Sequence, residues 1–127
     1  MEAVSDEGDR ADENFVSQKD GDFFAELYKS YGLKGGHIIL LNPASSEYYD
    51  ADVRQAQLAL AAYPGGLQIG GGINADNAGD YLASPKVLCC GGSWMVKKSL
   101  IQEKNFDKIE QLVREAAAIR KEVFPWA

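Results

Sequence analysis

Leu67–Asn74 reads LQIGGGIN and Val87–Trp94 reads VLCCGGSW. Each is a short apolar stretch that stops at consecutive glycines, and each reads as a strand, Leu67–Gly70 and Val87–Cys90, entering a glycine turn. A third stretch, His37–Leu41 (HIILL), follows Gly35-Gly36, is β-branched at its centre and ends at Asn42-Pro43. Continuous apolar runs of this kind belong to strands buried on both faces, as in parallel sheets.

Helical segments fill the intervals. Phe23, Phe24, Leu27, Tyr28 and Tyr31 recur at helical spacing over Asp20–Tyr31, and Gly32 follows where a left-handed C-cap residue is expected. A second helix is expected over Ala51–Tyr63, after a loop at Ala44–Asp50, and is stopped by Pro64-Gly65-Gly66. Asn74 is a good N-cap for a short helix Ala75–Leu82, which Ser84-Pro85 breaks. A turn or two near Lys97–Glu103 precedes a long helix, Phe106–Val123, striped by Phe106, Ile109, Leu112, Val113, Ala116 and Ile119. The order α-β-α-β-α-β-α-α means right-handed βαβ units and a parallel sheet, so the fold class is α/β. Three strands are too few to close a barrel.

At 127 residues the chain holds one domain with a single core. Its formal net charge of −6 resides in residues 1–22, where eight acids face Arg10 and Lys19; the remainder balances eleven acids with eleven bases. Residues 1–14, polar and without period, are expected to form an acidic flexible arm, with the α/β domain over 15–127. The acidic balance argues against nucleic acid or an anionic membrane as partner. No apolar run approaches the roughly 20 residues of a membrane helix, and the acidic start is neither a secretory signal nor an Arg-rich transit peptide. The two cysteines, Cys89 and Cys90, are adjacent on a strand and so point to opposite faces. An intrachain disulfide is not expected, which fits a reducing cytoplasm.

The chemistry-bearing feature is the pair of glycine turns, Gly70-Gly71-Gly72 and Gly91-Gly92-Ser93. Both follow the carboxyl ends of parallel strands, where α/β folds bind ligands. Glycine admits close approach to the backbone and lets successive N–H groups converge. Gly71, Gly72, Gly91, Gly92 and Ser93 are therefore expected to hold one phosphate between them, with a nearby helix N-terminus adding positive potential. The plainer alternative is that the glycines only make tight turns. Asn42, at the end of the first strand, could hydrogen-bond a substrate, although an Asn-Pro turn accounts for it as well. His37, the single histidine, sits at the amino end of a strand and reads as structural. Lys97 and Lys98 read as surface lysines. The cysteines lack metal-ligand spacing, so no metal and no cofactor are expected, and no acid–base or nucleophile set stands out.

On these residues the sequence resembles two families. About residues 5–80 are similar to the eukaryotic-type phosphoribosylformimino-aminoimidazole-carboxamide ribotide isomerase of histidine biosynthesis. The resemblance rests on Glu13–Ser17 (ENFVS), on Phe24–Tyr28 with Gly32-Leu33 and Gly35–Ile38, and on Ala62–Asn74 (AYPGGLQIGGGIN). About residues 71–121 are similar to the carboxyl end of 2-keto-3-deoxy-6-phosphogluconate aldolase, carried by Asp80–Leu82, Pro85–Val96 (PKVLCCGGSWMV) and Asn105–Ala117. The chain reads as isomerase-like to about residue 78 and aldolase-like from about 79. Both families imply a (βα)8 barrel and a phosphorylated substrate. The resemblance aligns the phosphate turns of the aldolase with Gly70–Gly72 and Gly91–Ser93. The isomerase's catalytic carboxylates and the aldolase's Schiff-base lysine have no counterpart in this sequence.

The expectation is thus a partial barrel of three parallel strands that binds a phosphorylated small molecule or inorganic phosphate, of the isomerase family and with little or no catalysis. An aldolase-like lyase and a non-enzymatic recombinant or engineered barrel fragment are the alternatives. Open sheet edges, and apolar runs that lose about 25 cal/mol per Å² if left wet, predict a homo-oligomer.

Overall fold

The computed structural model describes residues 2–4, 11–13 and 16–123. Within the acidic N-terminal segment, β1 (Glu2–Val4) pairs antiparallel with β2 (Ala11–Glu13); the rest of the arm expected over 1–14 lies outside the described residues. Then come α1 (Gly21–Ser30), β3 (Gly36–Ile39), α2 (Tyr49–Ala62), β4 (Leu67–Gly70), α3 (Ala78–Ala83), β5 (Val87–Gly91), α4 (Lys98–Gln102) and α5 (Phe106–Val123). Strands β3, β4 and β5 form one parallel sheet in that order, with β4 central. The α/β class and the three parallel strands stand as read from the sequence.

The sheet is two-sided because side chains alternate along a strand. Ile38, Leu67, Ile69, Val87 and Cys90 face the helices and belong to one core with Ala25, Ala56, Ala59, Leu60, Ala78 and Ile119. Leu67 and Ile69 are each only 2% exposed, which makes β4 the centre of that core. The small residues of α1 and α2 let these helices approach closely. Gln55 fastens them: its Oε1 accepts from the Gly21 amide (2.7 Å) and its Nε2 donates to Asp20 (3.0 Å). The opposite face carries His37, Ile39, Gln68 and Cys89, and Ile39 is 53% exposed there. The apolar stripe of α5 is likewise half covered: Ile109, Leu112, Ala116 and Ile119 are intermediate, while Phe106 and Val113 are exposed.

β5 carries an irregularity that aligns it with β4. Leu67 lies opposite Val87, but the next pair is Gln68 with Cys89, so Leu88 is an extra residue. A bulge of this kind bends a strand and re-aims the side chains beyond it. Here it turns Cys89 to the open face and Cys90 to the core, and it brings Gly91 opposite Gly70. Both cysteines are free, and burial pushes the Cys90 thiol up from its ordinary pKa, with Cys89 adding to the shift.

Two local expectations need correction. Asn74 does not cap an α-helix beginning at Ala75. Its Oδ1 accepts from the amides of Asp76 and Asn77, while Asn77 Oδ1 accepts from the Asn74 amide, so residues 74–77 close on themselves as a turn. The helix starts only at Ala78. The helix after β5 likewise starts at Lys98, five residues past Ser93, so neither helix begins at its glycine turn. Among the described residues no helix is long and apolar enough to cross a membrane.

Candidate functional site

The parallel register sets the two glycine turns side by side. Gly70 and Gly91, the last residues of β4 and β5, are direct partners, so Gly71-Gly72 and Gly92-Ser93 leave the sheet at the same level. They also touch: a Cβ on Gly92 would stand 3.3 Å from the Ile73 carbonyl oxygen.

Gly71 and Gly72 both hold positive φ, +92° and +66°. At Gly71 the backbone also runs against β3, and a Cβ there would overlap the Leu40 carbonyl. Only glycine satisfies both conditions. The Gly70 carbonyl accepts from the Leu40 amide at 3.0 Å and therefore points toward β3. Among the described residues no peptide bond is cis, so the Gly71 N–H lies anti to that carbonyl and points toward β5. Outside the strand ladders, the amides of Gly71, Gly72, Gly92 and Ser93 donate no hydrogen bond among the described residues. The Gly72 carbonyl accepts from Asn77 Nδ2 at 2.9 Å, which fixes the turn from behind. Trp94 supports the second turn. Its ring fills the space where a Gly92 side chain would stand, and it packs on the core. Ser93 is exposed.

Asn42 is placed differently. Its Nδ2 donates to Asp52 Oδ2 at 2.7 Å, so the side chain is committed to α2 and lines a groove of about 420 Å³ along the free edge of β3. A second groove, about 550 Å³, runs along the free edge of β5 between α3 and α5. Of the five turn residues, only Gly92 lines either groove. Lys97 and Lys98 are exposed, and the ion pair seen among the described residues is Arg114–Glu110 within α5.

One side chain reaches further than its place on its strand suggests. His37 begins near the amino end of β3, yet its imidazole reaches the carboxyl ends of the other strands. Its Nε2 lies 3.1 Å from where a Cβ on Gly70 would stand, and its Cε1 lies 3.5 Å from the same point on Gly91. The ring crosses the open face because both residues beneath it lack side chains. A lone histidine followed by glycines at two neighbouring strand ends was the available signal.

Comparison with known proteins fits this geometry to two families. The family described as KDPG and KHG aldolase matches residues 59–112, which include both glycine turns. The imidazole-4-carboxamide isomerase of Candida albicans, a ribotide isomerase, is 39% identical over 118 residues, covering 87% of this chain and 39% of its own length. The corresponding isomerase of Medicago truncatula is 39% identical over 86% of this chain and 32% of its own length. The 2-dehydro-3-deoxy-phosphogluconate aldolase of Haemophilus influenzae is 55% identical over 51 residues, 40% of this chain and 24% of its own length. The chain therefore spans about two fifths or less of the curated relatives it matches. A match over 87% of the chain overlaps residues 59–112, so both alignments include the stretch that holds the two glycine turns. The chain is a composite of two likenesses, to the ribotide isomerases along most of its length and to the phosphogluconate aldolases around its paired glycine turns.

Proposed function

We propose that this chain is a partial (βα)-barrel that binds a phosphorylated small molecule at the paired ends of β4 and β5, with little or no turnover of its own. The observation that carries the reading is the alignment of Gly70 with Gly91, which sets two glycine turns level, with the Gly72, Gly92 and Ser93 amides making no backbone hydrogen bond among the described residues outside the strand ladders. Backbone N–H groups in such turns form anion-binding concavities. The names of both sets of relatives specify phosphate-bearing compounds, a phosphoribosyl imidazole and a phosphogluconate, so phosphate is what the two likenesses share.

The lack of turnover is supported by what the strands carry. β3, β4 and β5 read GHII, LQIG and VLCCG, with no lysine and no carboxylate. An aldolase Schiff base needs a desolvated lysine, and Lys97 and Lys98 are exposed. Self-association belongs to the same reading: among the described residues both outer strands have free edges, and the open face leaves Ile39 wet.

Calorimetric titration with inorganic phosphate and with ribose 5-phosphate tests the site, using Gly72→Ala, whose added methyl group meets nothing within 4 Å, and Ser93→Ala beside the wild type. Binding that weakens in both variants, with far-UV dichroism unchanged, is expected. Equal binding by all three proteins rejects the site. Borohydride trapping with pyruvate is expected to leave no adduct, and a covalent adduct would install the aldolase reading. Light scattering on a sizing column is expected to show a dimer or larger; a compact monomer at micromolar concentration removes the self-association.

A further inference from the structure

We infer that His37 is a ligand-contacting residue that distinguishes a phosphate ester from free phosphate. The inference rests on the phosphate reading above and adds to it a side chain and a selectivity.

The imidazole starts on β3 and lies over Gly70 and Gly91, the two residues that lead directly into the glycine turns. It crowds the position a Cβ on Gly70 would take, at 3.1 Å, and stands at ordinary contact distance, 3.5 Å, from that on Gly91. Among the described residues it makes no hydrogen bond, and the residue is exposed. A neutral imidazole offers one donor and one acceptor, the complement of a hydroxyl group. The direction of a bound ester is set by the packing. Behind the sheet the core is filled by Leu40, Leu67, Ile69 and Ile73. An ester whose phosphate sits on the Gly72, Gly92 and Ser93 amides can extend its carbon chain along the open face, away from the filled core. There the first atoms beyond the phosphate meet the His37 ring. Inorganic phosphate has no such atoms. The class of ligand selected is a sugar phosphate with a hydroxyl near its ester carbon.

The test is calorimetry with ribose 5-phosphate and inorganic phosphate on the wild type, His37→Ala and Gly70→Ala. Removing the imidazole is expected to weaken ribose 5-phosphate about tenfold and to leave inorganic phosphate unchanged. Gly70→Ala places a methyl group 3.1 Å from Nε2 and 3.3 Å from the Gly91 carbonyl oxygen, so the ring gives by a few tenths of an ångström, and a smaller loss of ribose 5-phosphate than in His37→Ala is expected. Equal weakening of both ligands, or no change in either, overturns the role of His37 while leaving the phosphate site standing. Failure of the wild type to bind inorganic phosphate overturns the phosphate reading itself, and this inference with it.

Discussion

Two adjacent glycines give the sharpest prediction, because the structure treats them differently. At Gly71, φ is +92° and a Cβ would overlap the Leu40 carbonyl; at Gly72, φ is +66° and nothing lies within 4 Å. Alanine at 72 meets only the strain of the left-handed backbone, about 1 kcal/mol. Alanine at 71 meets the same strain and must also push β3 away from β4 at their carboxyl ends. That displacement breaks the Leu40 amide bond to the Gly70 carbonyl, 3.0 Å long and worth about a further 1 kcal/mol. Gly71→Ala is therefore expected to cost about 2 kcal/mol in all and Gly72→Ala about 1 kcal/mol. Urea unfolding followed by circular dichroism, extrapolated linearly to water with a common slope, measures both. Equal losses, or a larger loss at 72, would refute the close approach of β4 to β3 and the shape of the turn built on it.

The remaining predictions use other parts of the fold. Leu67→Ala, at one of the two most buried strand positions, is expected to cost about 2–5 kcal/mol in the same assay. Gln55→Ala frees the Gly21 amide and Asp20 at an exposed site and is expected to cost about 1 kcal/mol. Hydrogen exchange should show the added opening confined to the start of α1. Tyr81 and Cys90 both have pKa values raised chiefly by burial, Tyr81 also by its neighbour Tyr49. The folded state thus holds these protons more tightly than the unfolded chain. Their contribution is complete below the ordinary thiol and phenol values, 9.0 and 10.0, and is lost as pH rises through the raised ones. Urea midpoints measured from pH 7 to 11 should fall above about pH 9, and Tyr81→Phe should flatten the later part of the fall.

The strands and the pairing of the turns were legible because their signals are local. An apolar run that stops at glycine reads as a strand end wherever it occurs, and the alternation with helices forces parallel neighbours. Gly32 at φ +66° after α1 is a local signal of the same sort. The features that were not legible depend on contacts distant in sequence. The reach of His37 across two strands is set by register and by missing side chains on β4 and β5, so its position at the start of β3 misleads. Asn42 offers a free amide in the sequence, but Asp52 on the next helix takes it up. Asn74 resembles a cap because its hydrogen-bonding habit is right and its reach is not. It serves the turn at 74–77, and the helix waits for Asn77. Part of the apolar stripe of α5 predicts a buried surface that the described residues do not cover.

The extra residue in β5 gives that strand slack. Four residues of β4, Leu67–Gly70, keep step with five of β5, Val87–Gly91, because Leu88 is looped out and 44% exposed. A chain shortened by Leu88 alone would run Val87-Cys89-Cys90-Gly91 straight along the same four partners. Insertion or deletion at that one point therefore changes the curvature of the strand while sparing the meeting of its last residue with Gly70. The ends of β4 and β5 are insulated from length variation upstream.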